Sequence, residues 1–187
     1  MKFIRVIKSR WDEQGDPKGY VDAVTDLLYN GDSKLRRIVY RNNAAINELY
    51  GCLEDKDYYE KYINSRVLKL IRPLIDKFFD DVKYYSIIKT SSAQDLMEDI
   101  GEFIDSYPDA IEINSGLDFT RYIQDILSEV KSTSEEIIKI LNDIPDYGEK
   151  FKKQSIILEF KKYYDNLIKI LEKMNYILMQ EYNKDTK

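Results

Sequence analysis

Carboxylates at helical spacing are the feature of this sequence that comes closest to a catalytic pattern. Between Thr90 and Thr120 the chain has eight aspartate or glutamate residues and no lysine or arginine. Carboxylates one turn apart on a helix can hold Mg²⁺, and two such helices would suit the hydrolysis of a nucleotide. The candidate ligands are Glu98, Glu102 and Asp105, and the Glu-x-x-Asp spacing of the last two recurs at Glu54 and Asp57.

The rest of the composition argues against catalysis. No basic residue lies near these carboxylates to bind phosphate, and a chain with 34 acidic residues produces such spacings by chance. The absence of histidine excludes Ser-His and Cys-His nucleophile pairs and histidine-containing metal sites. The single cysteine, Cys52, is predicted to pack as a small apolar side chain. We predict no catalytic residue, no cofactor and no metal, so a magnesium-dependent helical hydrolase is the least favoured function.

A basic helix face indicates recognition instead of catalysis. Lys34, Arg37 and Arg41 recur at three- and four-residue steps, which places them on one side of a helix, with Arg36 beside them. Arginine binds carboxylates and phosphates through parallel hydrogen bonds. These residues could contact an acidic protein surface, nucleic acid, or acids of the same chain. A net charge of −5 and the lack of a groove-reading motif disfavour nucleic acid.

Helices must position these side chains, because apolar residues recur at three- and four-residue steps along most of the chain. One helix is predicted from about residue 34 to 53. After a polar break at residues 54–57 the apolar pattern continues to Tyr85, and Pro73 should kink or restart that helix because proline lacks a donor and clashes with the preceding turn. Further helices are predicted at about residues 17–29 and 92–106.

The second half of the chain shows the same periodicity. A helix is predicted from Asp118 onward, and the run at residues 132–134, Ser-Thr-Ser, is either a cap between two helices or a polar patch within one. A long final helix is predicted at 149–182. Its inward residues are expected to be Phe151, Leu158, Tyr164, Leu167, Ile168, Leu171, Met174, Ile177 and Leu178.

Adjacent tyrosines are a recurring detail of these helices. Neighbouring residues on a helix point in different directions, so one ring of each pair should pack inward and the other should lie at the boundary. The pairs are Tyr58 and Tyr59, Tyr84 and Tyr85, and Tyr163 and Tyr164.

Two short segments alternate at the two-residue period of a β-strand. Residues 1–8 are predicted to form a strand or arm, and residues 110–114 a second strand that could pair with it. A two-stranded ribbon is marginal in water unless it packs on helices or joins the sheet of another chain.

Together these elements predict a mainly α fold: residues 1–187 form one domain, a bundle of six or seven helices with a short N-terminal strand. No apolar stretch has the length of a membrane span, and the N-terminal residues are too charged for a signal peptide. We therefore expect a cytoplasmic protein without membrane contact. High contents of Ile, Lys, Tyr and Asn are typical of AT-rich genomes, which favours a bacterial or phage source and hence the host cytoplasm or a virion.

The favoured function is a non-enzymatic protein–protein interaction or assembly component, such as a phage virion protein, with further protein subunits as partners in a homo- or hetero-oligomer. The oppositely charged regions would be complementary surfaces. A nucleic-acid-associated regulator that uses the basic helix is the alternative. The predicted partner-binding residues are Arg5, Arg10, Trp11, Lys34, Arg36, Arg37, Arg41, Glu98, Glu102 and Asp105.

Overall fold

The computed structural model describes residues 33–85, 112–143 and 153–183. These three ranges contain five α-helices and one 3-10 helix, and no β-strand. The α-helices are α1 (Ser33–Glu54), α2 (Lys56–Tyr59), α3 (Ser65–Tyr85), α4 (Gly116–Asp143) and α5 (Lys153–Tyr182), and the 3-10 helix Glu60–Tyr62 lies between α2 and α3.

The four long helices run antiparallel to their neighbours. Lys34 contacts Glu136 and Arg41 contacts Glu129, so α1 and α4 run in opposite directions. Helices α4 and α5 are also antiparallel, and Lys131 of α4 pairs with Glu172 of α5.

Helix α3 is held against α5 where Arg66 pairs with Glu181, with Nη2 of the arginine 3.0 Å from Oε2 of the glutamate. Because Arg66 begins α3 and Glu181 ends α5, these two helices are also antiparallel. The directions are therefore up, down, down and up for α1, α3, α4 and α5. The end of α3 and the start of α4 consequently lie at opposite ends of the bundle, whereas α1 and α3 are linked by the short α2 segment.

One hydrophobic core is shared by all the long helices. Its centre contains fully buried side chains from each of them, including Leu49, Phe78, Ile123 and Leu171. Aromatic contacts connect the short helix to this core: the rings of Tyr59 and Phe119 stack with centroids 5.0 Å apart. Burial of these apolar stripes is the main stabilising term of such a bundle.

Two polar caps fix the end of the bundle at which α3 and α4 begin. Asn64 caps α3, since its Oδ1 accepts a hydrogen bond from the Val67 N–H at 2.9 Å. The Asn64 N–H donates to the hydroxyl of Tyr182 at 2.8 Å, which ties the start of α3 to the end of α5. Ser115 caps α4 by accepting a hydrogen bond from the Asp118 N–H at 3.1 Å.

Several helix predictions are confirmed. The helix predicted at residues 34–53 is α1, and α5 occupies residues 153–182 of the predicted 149–182. The polar run at residues 132–134 lies within α4, so it is a patch in one helix and not a cap between two. Helix α3 continues through Pro73, and no restart occurs there. Proline is tolerated at this exposed position, where its ring faces away from the core.

Other predictions differ from the structure. In the predicted second strand, residues 112–114 have no regular secondary structure. The Asn114 N–H donates to the carboxylate of Asp118, 3.2 Å away, so these residues lead into the α4 cap instead of a sheet. The polar segment at residues 54–57 is not wholly a break, because α2 starts at Lys56. The predicted strand at 1–8 and the helices at 17–29 and 92–106 lie outside the described residues.

The burial of individual side chains agrees with some of the sequence predictions and contradicts others. Tyr59 is buried while Tyr58 is half-buried, as predicted. Tyr163 and Tyr164 are both buried, so the expected division between core and boundary is wrong for that pair. The prediction that Leu158 faces inward is also wrong, because 64% of this residue is exposed.

Candidate protein interaction surface

Two basic residues of α1, Lys34 and Arg41, lie along the seam between α1 and α4. The Nζ of Lys34 is 3.0 Å from Oε1 of Glu136. Arg41 pairs with Glu129 through two contacts, from Nε to Oε1 and from Nη2 to Oε2, the second at 2.9 Å. The sequence left three partners open for this face: an acidic protein surface, nucleic acid, or acids of the same chain. In the structure, Lys34 and Arg41 pair with acids of the same chain.

These ion pairs are solvent-accessible. The Lys34 side chain is 65% exposed and the Arg41 side chain 53%. Exposed ion pairs typically contribute at most about 1 kcal/mol to stability, although the two-point geometry of the arginine pair favours the upper part of that range. The pairs neutralise part of the basic face without removing its side chains from the surface.

A buried polar cluster lies beneath the ion pairs. Asn42 is fully buried, and its Nδ2 donates hydrogen bonds to Thr133 Oγ1 at 2.8 Å and to Ser134 Oγ at 3.2 Å. Each hydroxyl in turn donates to a carbonyl of its own helix: Thr133 to Glu129 O at 2.6 Å, and Ser134 to Val130 O. Asn42 Oδ1 is buried and accepts no hydrogen bond.

Cys52 lies farther along the same seam. Burial, reinforced by the nearby carboxylate of Glu48, raises the pKa of its thiol to about 12. Burial also raises the pKa of Glu48, while a hydrogen bond to Tyr122 opposes that change. The thiol is therefore protonated at neutral pH, which agrees with the prediction that Cys52 packs as an apolar side chain and not as a nucleophile.

The outward side of α5 carries two exposed apolar residues. Leu158 is 64% and Tyr176 65% exposed. They are 18 residues apart, which is five turns of helix, so they share one face at a separation of about 27 Å. That face is opposite the buried side formed by residues such as Leu167, Leu171, Met174 and Leu178.

Charged side chains surround these two residues. Among the residues of α5 whose exposure is described, the exposed lysines are Lys161, Lys162, Lys169 and Lys173, and the exposed acids are Asp165 and Glu172. Glu172 pairs with Lys131 of α4 at 2.6 Å. The outward face of α5, defined by Leu158, Lys162, Asp165, Lys169 and Tyr176, is therefore basic with an apolar side chain toward each end.

The remaining predicted partner-binding residues lie either in α1 or outside the described residues. Arg36 and Arg37 lie in α1, and Arg37 is exposed. The other six, Arg5, Arg10, Trp11, Glu98, Glu102 and Asp105, lie outside the described residues. Within the part of the chain that the structure describes, no group of three or more His, Cys, Asp or Glu side chains could hold a metal ion.

Sequence reasoning missed the outward face of α5, although a signal for it exists. Residues 158 and 176 fall at the same angular position on a helix, and that position is opposite Leu167 and Leu178. A strict angular comparison would have separated Leu158 from the inward residues.

Comparison with known proteins gives no relative from which a role could be transferred. No protein family model matches the chain, and no curated protein or solved structure shows significant similarity to it. Among the helices of the described ranges, none has both the length and the apolar character of a membrane span.

Proposed function

We propose that this chain is a non-enzymatic assembly component that associates with other protein subunits, and that the simplest partner is a second copy of itself. The outward face of α5 carries the proposal, because it places two large exposed apolar side chains on one side of a helix, whereas the third such residue of the described ranges, Leu70, stands alone on α3. Aromatic and apolar anchors within a polar rim are typical of protein interfaces.

Charge complementarity supports a second copy as the partner. The outward face of α5 is basic, whereas the sequence between Thr90 and Thr120 has eight acids and no lysine or arginine. One chain therefore carries a basic helix face and an acidic sequence segment, which are opposite in charge. Opposite charges of this kind can join copies head to tail.

The alternative of a nucleic-acid regulator is less well supported. It requires Lys34 and Arg41 to meet phosphates, but both are already paired with glutamates of α4. Binding to nucleic acid would have to break those pairs while bringing phosphates close to Glu129 and Glu136. A virion role and a phage or bacterial source remain predictions from composition.

Light scattering after size-exclusion chromatography tests the proposal directly. The mass of the full chain should rise above that of a single copy between about 1 and about 100 µM. Added salt should weaken the association, because it screens the opposite charges. The double variant Leu158→Gln, Tyr176→Gln should raise the dissociation constant at least about tenfold, since both anchors are removed.

Leu70→Gln is the matched control, because Leu70 is also an exposed apolar residue, at 52%, but lies on α3. It should leave the association unchanged. The mass of a single copy at every concentration would contradict the proposal. Equal weakening by the control and by the α5 double variant would contradict the assignment to the outward face of α5.

A further inference from the structure

We propose that Asn42, Thr133 and Ser134 select the register in which α1 packs against α4, and that they do so at a cost in stability. The three side chains are almost completely buried, with exposed fractions of 0%, 2% and 4%. They are hereafter called the polar layer. The proposal does not depend on the proposed function.

The ion pairs of the same seam cannot select the register by themselves. Lys34 and Arg41 are seven residues apart, and so are their partners Glu136 and Glu129. If α1 slid along α4 by seven residues, one lysine or arginine would still meet one glutamate. A seven-residue slip also keeps each helix face turned toward its partner, because seven residues are close to two helical turns.

The apolar residues of the seam are equally permissive. The buried residues of α1 include Leu35, Ile38, Ile46 and Leu49, and those of α4 include Ile126, Val130 and Ile137. Leucine and isoleucine exchange in cores at modest cost when the total volume is kept. A slipped bundle would therefore lose little apolar burial over the middle of the seam.

Asn42 distinguishes the registers because its hydrogen-bond partners occur at only one level of α4. Its amide contacts residues of the range 130–134. A slip of seven residues would move it to 123–127 or 137–141. The buried residues there are apolar: Ile123, Ile126 and Leu127 in the first range, and Ile137, Ile140 and Leu141 in the second. The half-buried Gln124 of the first range is turned toward α5, where its Nε2 donates to Met179 Sδ. In either position the Asn42 amide would therefore be buried without a partner, which is strongly unfavourable.

The observed register is itself not cost-free. Asn42 Oδ1 accepts no hydrogen bond although it is buried. Leucine has the same number of heavy atoms and the same branching as asparagine, and it needs no partner. A buried polar residue that specifies helix pairing while lowering stability is known from coiled coils.

The test compares thermal unfolding and amide NMR spectra of the wild-type full chain with those of Asn42→Leu. Both are measured at a concentration at which the variant and the wild type have the same mass in solution. The midpoint of the variant should be higher than that of the wild type, by up to roughly 6 °C. Its spectrum should show extra or broadened amide signals from α1 and α4, because more than one register is populated.

Two further variants keep the result interpretable. Ile46→Leu is a matched apolar exchange at another buried position of α1 and should retain one sharp set of signals. Thr133→Val combined with Ser134→Ala should lower the midpoint when Asn42 is present, because the two changes remove the hydroxyl oxygens that accept hydrogen bonds from the Asn42 amide. The same pair of changes should have little effect in the Asn42→Leu background, since the two hydroxyls donate only within α4.

A single sharp set of amide signals from Asn42→Leu would overturn the proposal, whatever its midpoint. A midpoint of Asn42→Leu below that of the wild type would also overturn it, because the polar layer would then add stability instead of costing it. Broadened signals from Ile46→Leu equal to those from Asn42→Leu would show that any core exchange loosens the seam, and would overturn it as well.

Discussion

The thiol of Cys52 illustrates how the surroundings of one residue decide its chemistry. Burial and the neighbouring Glu48 raise its pKa from the ordinary 9.0 to about 12, since both disfavour the thiolate. The protonated thiol is partly buried against the core. Cys52 is therefore a packing residue at neutral pH, and no catalytic role follows from its being the single cysteine of the sequence.

The reactivity of Cys52 tests this description. At pH 8 the folded protein should react with iodoacetamide on the order of a thousandfold more slowly than the unfolded chain, because three pKa units separate the two thiols. Since the folded-state pKa is the higher one, the stabilising contribution of the protonated thiol is present below pH 9.0 and is lost as the pH rises toward 12. Mass spectrometry of labelled protein over time measures both rates.

Glu48→Gln is the control for the electrostatic part of this effect. It removes the negative charge near the thiol and should increase the labelling rate of the folded protein only partly, because burial is the larger cause. Equal labelling of folded and unfolded wild-type protein would show that the thiol is accessible as a thiolate.

Two glycines should respond to alanine in opposite directions. A Cβ added at Gly116 would lie 2.8 Å from Cζ of the Tyr182 ring and closer still to two other ring atoms, whereas a Cβ at Gly51 would meet nothing within 4 Å. Gly116→Ala should lower the free energy of unfolding by about 1–3 kcal/mol, because the ring must move and strain its hydrogen bond to Asn64. Gly51→Ala should raise it by about 0.5–1 kcal/mol, because alanine favours the helix.

Urea unfolding followed by circular dichroism measures both changes. The pair controls for helix propensity, since each substitution adds one methyl group to a helix. Stabilisation of the chain by Gly116→Ala would contradict the close packing of Tyr182 over the start of α4.

At the scale of the helices, the apolar periodicity of the sequence predicts the bounds of a helix, because these depend on local geometry. Helix α1 was predictable within a residue at each end, because its buried residues recur without interruption. Which residues of α5 face the core was harder to predict. Leu158 falls among apolar residues in the sequence, yet it points away from the core because the inward face of α5 is set by contacts with α3 and α4.

The connections between helices were harder to predict than the helices themselves. The turn formed by α2 and the 3-10 helix has too few residues for periodicity to show. The caps at Asn64 and Ser115 depend on where the preceding chain enters, and the contact of Tyr182 with Asn64 joins residues that are far apart in sequence. Such long-range contacts are decided by packing and leave no local pattern.

Pro73 provides a test at the level of one helix. It lies in the middle of α3 on the exposed side, where it removes one backbone donor. Pro73→Ala should raise the free energy of unfolding by about 1–2 kcal/mol, because the gain in helix propensity exceeds the added freedom of the unfolded chain. Chemical unfolding measures the change.

Lys77→Ala is a suitable comparison, since Lys77 is also exposed on α3 and already has good helix propensity. It should change the stability by less than about 0.5 kcal/mol. A lower stability of Pro73→Ala would mean that the packing of α3 requires a bend at proline.

At the scale of the whole molecule, charge is used in two ways. Lys34 and Arg41 of α1 form exposed ion pairs with Glu136 and Glu129 of the same chain, whereas the lysines on the outward face of α5 lie beside exposed apolar groups. The sequence revealed the first set through its helical spacing. It did not reveal the second, because a surface becomes recognisable only when it is known which sides of each helix are covered.

Association of copies through the outward face of α5 is therefore the central proposal for this molecule. Amide NMR spectra recorded at increasing protein concentration test it at the level of single residues. The largest shifts and broadening are expected at and beside Leu158, Lys162, Lys169 and Tyr176. Unchanged spectra over the whole concentration range, or changes confined to α1 and α3, would contradict it.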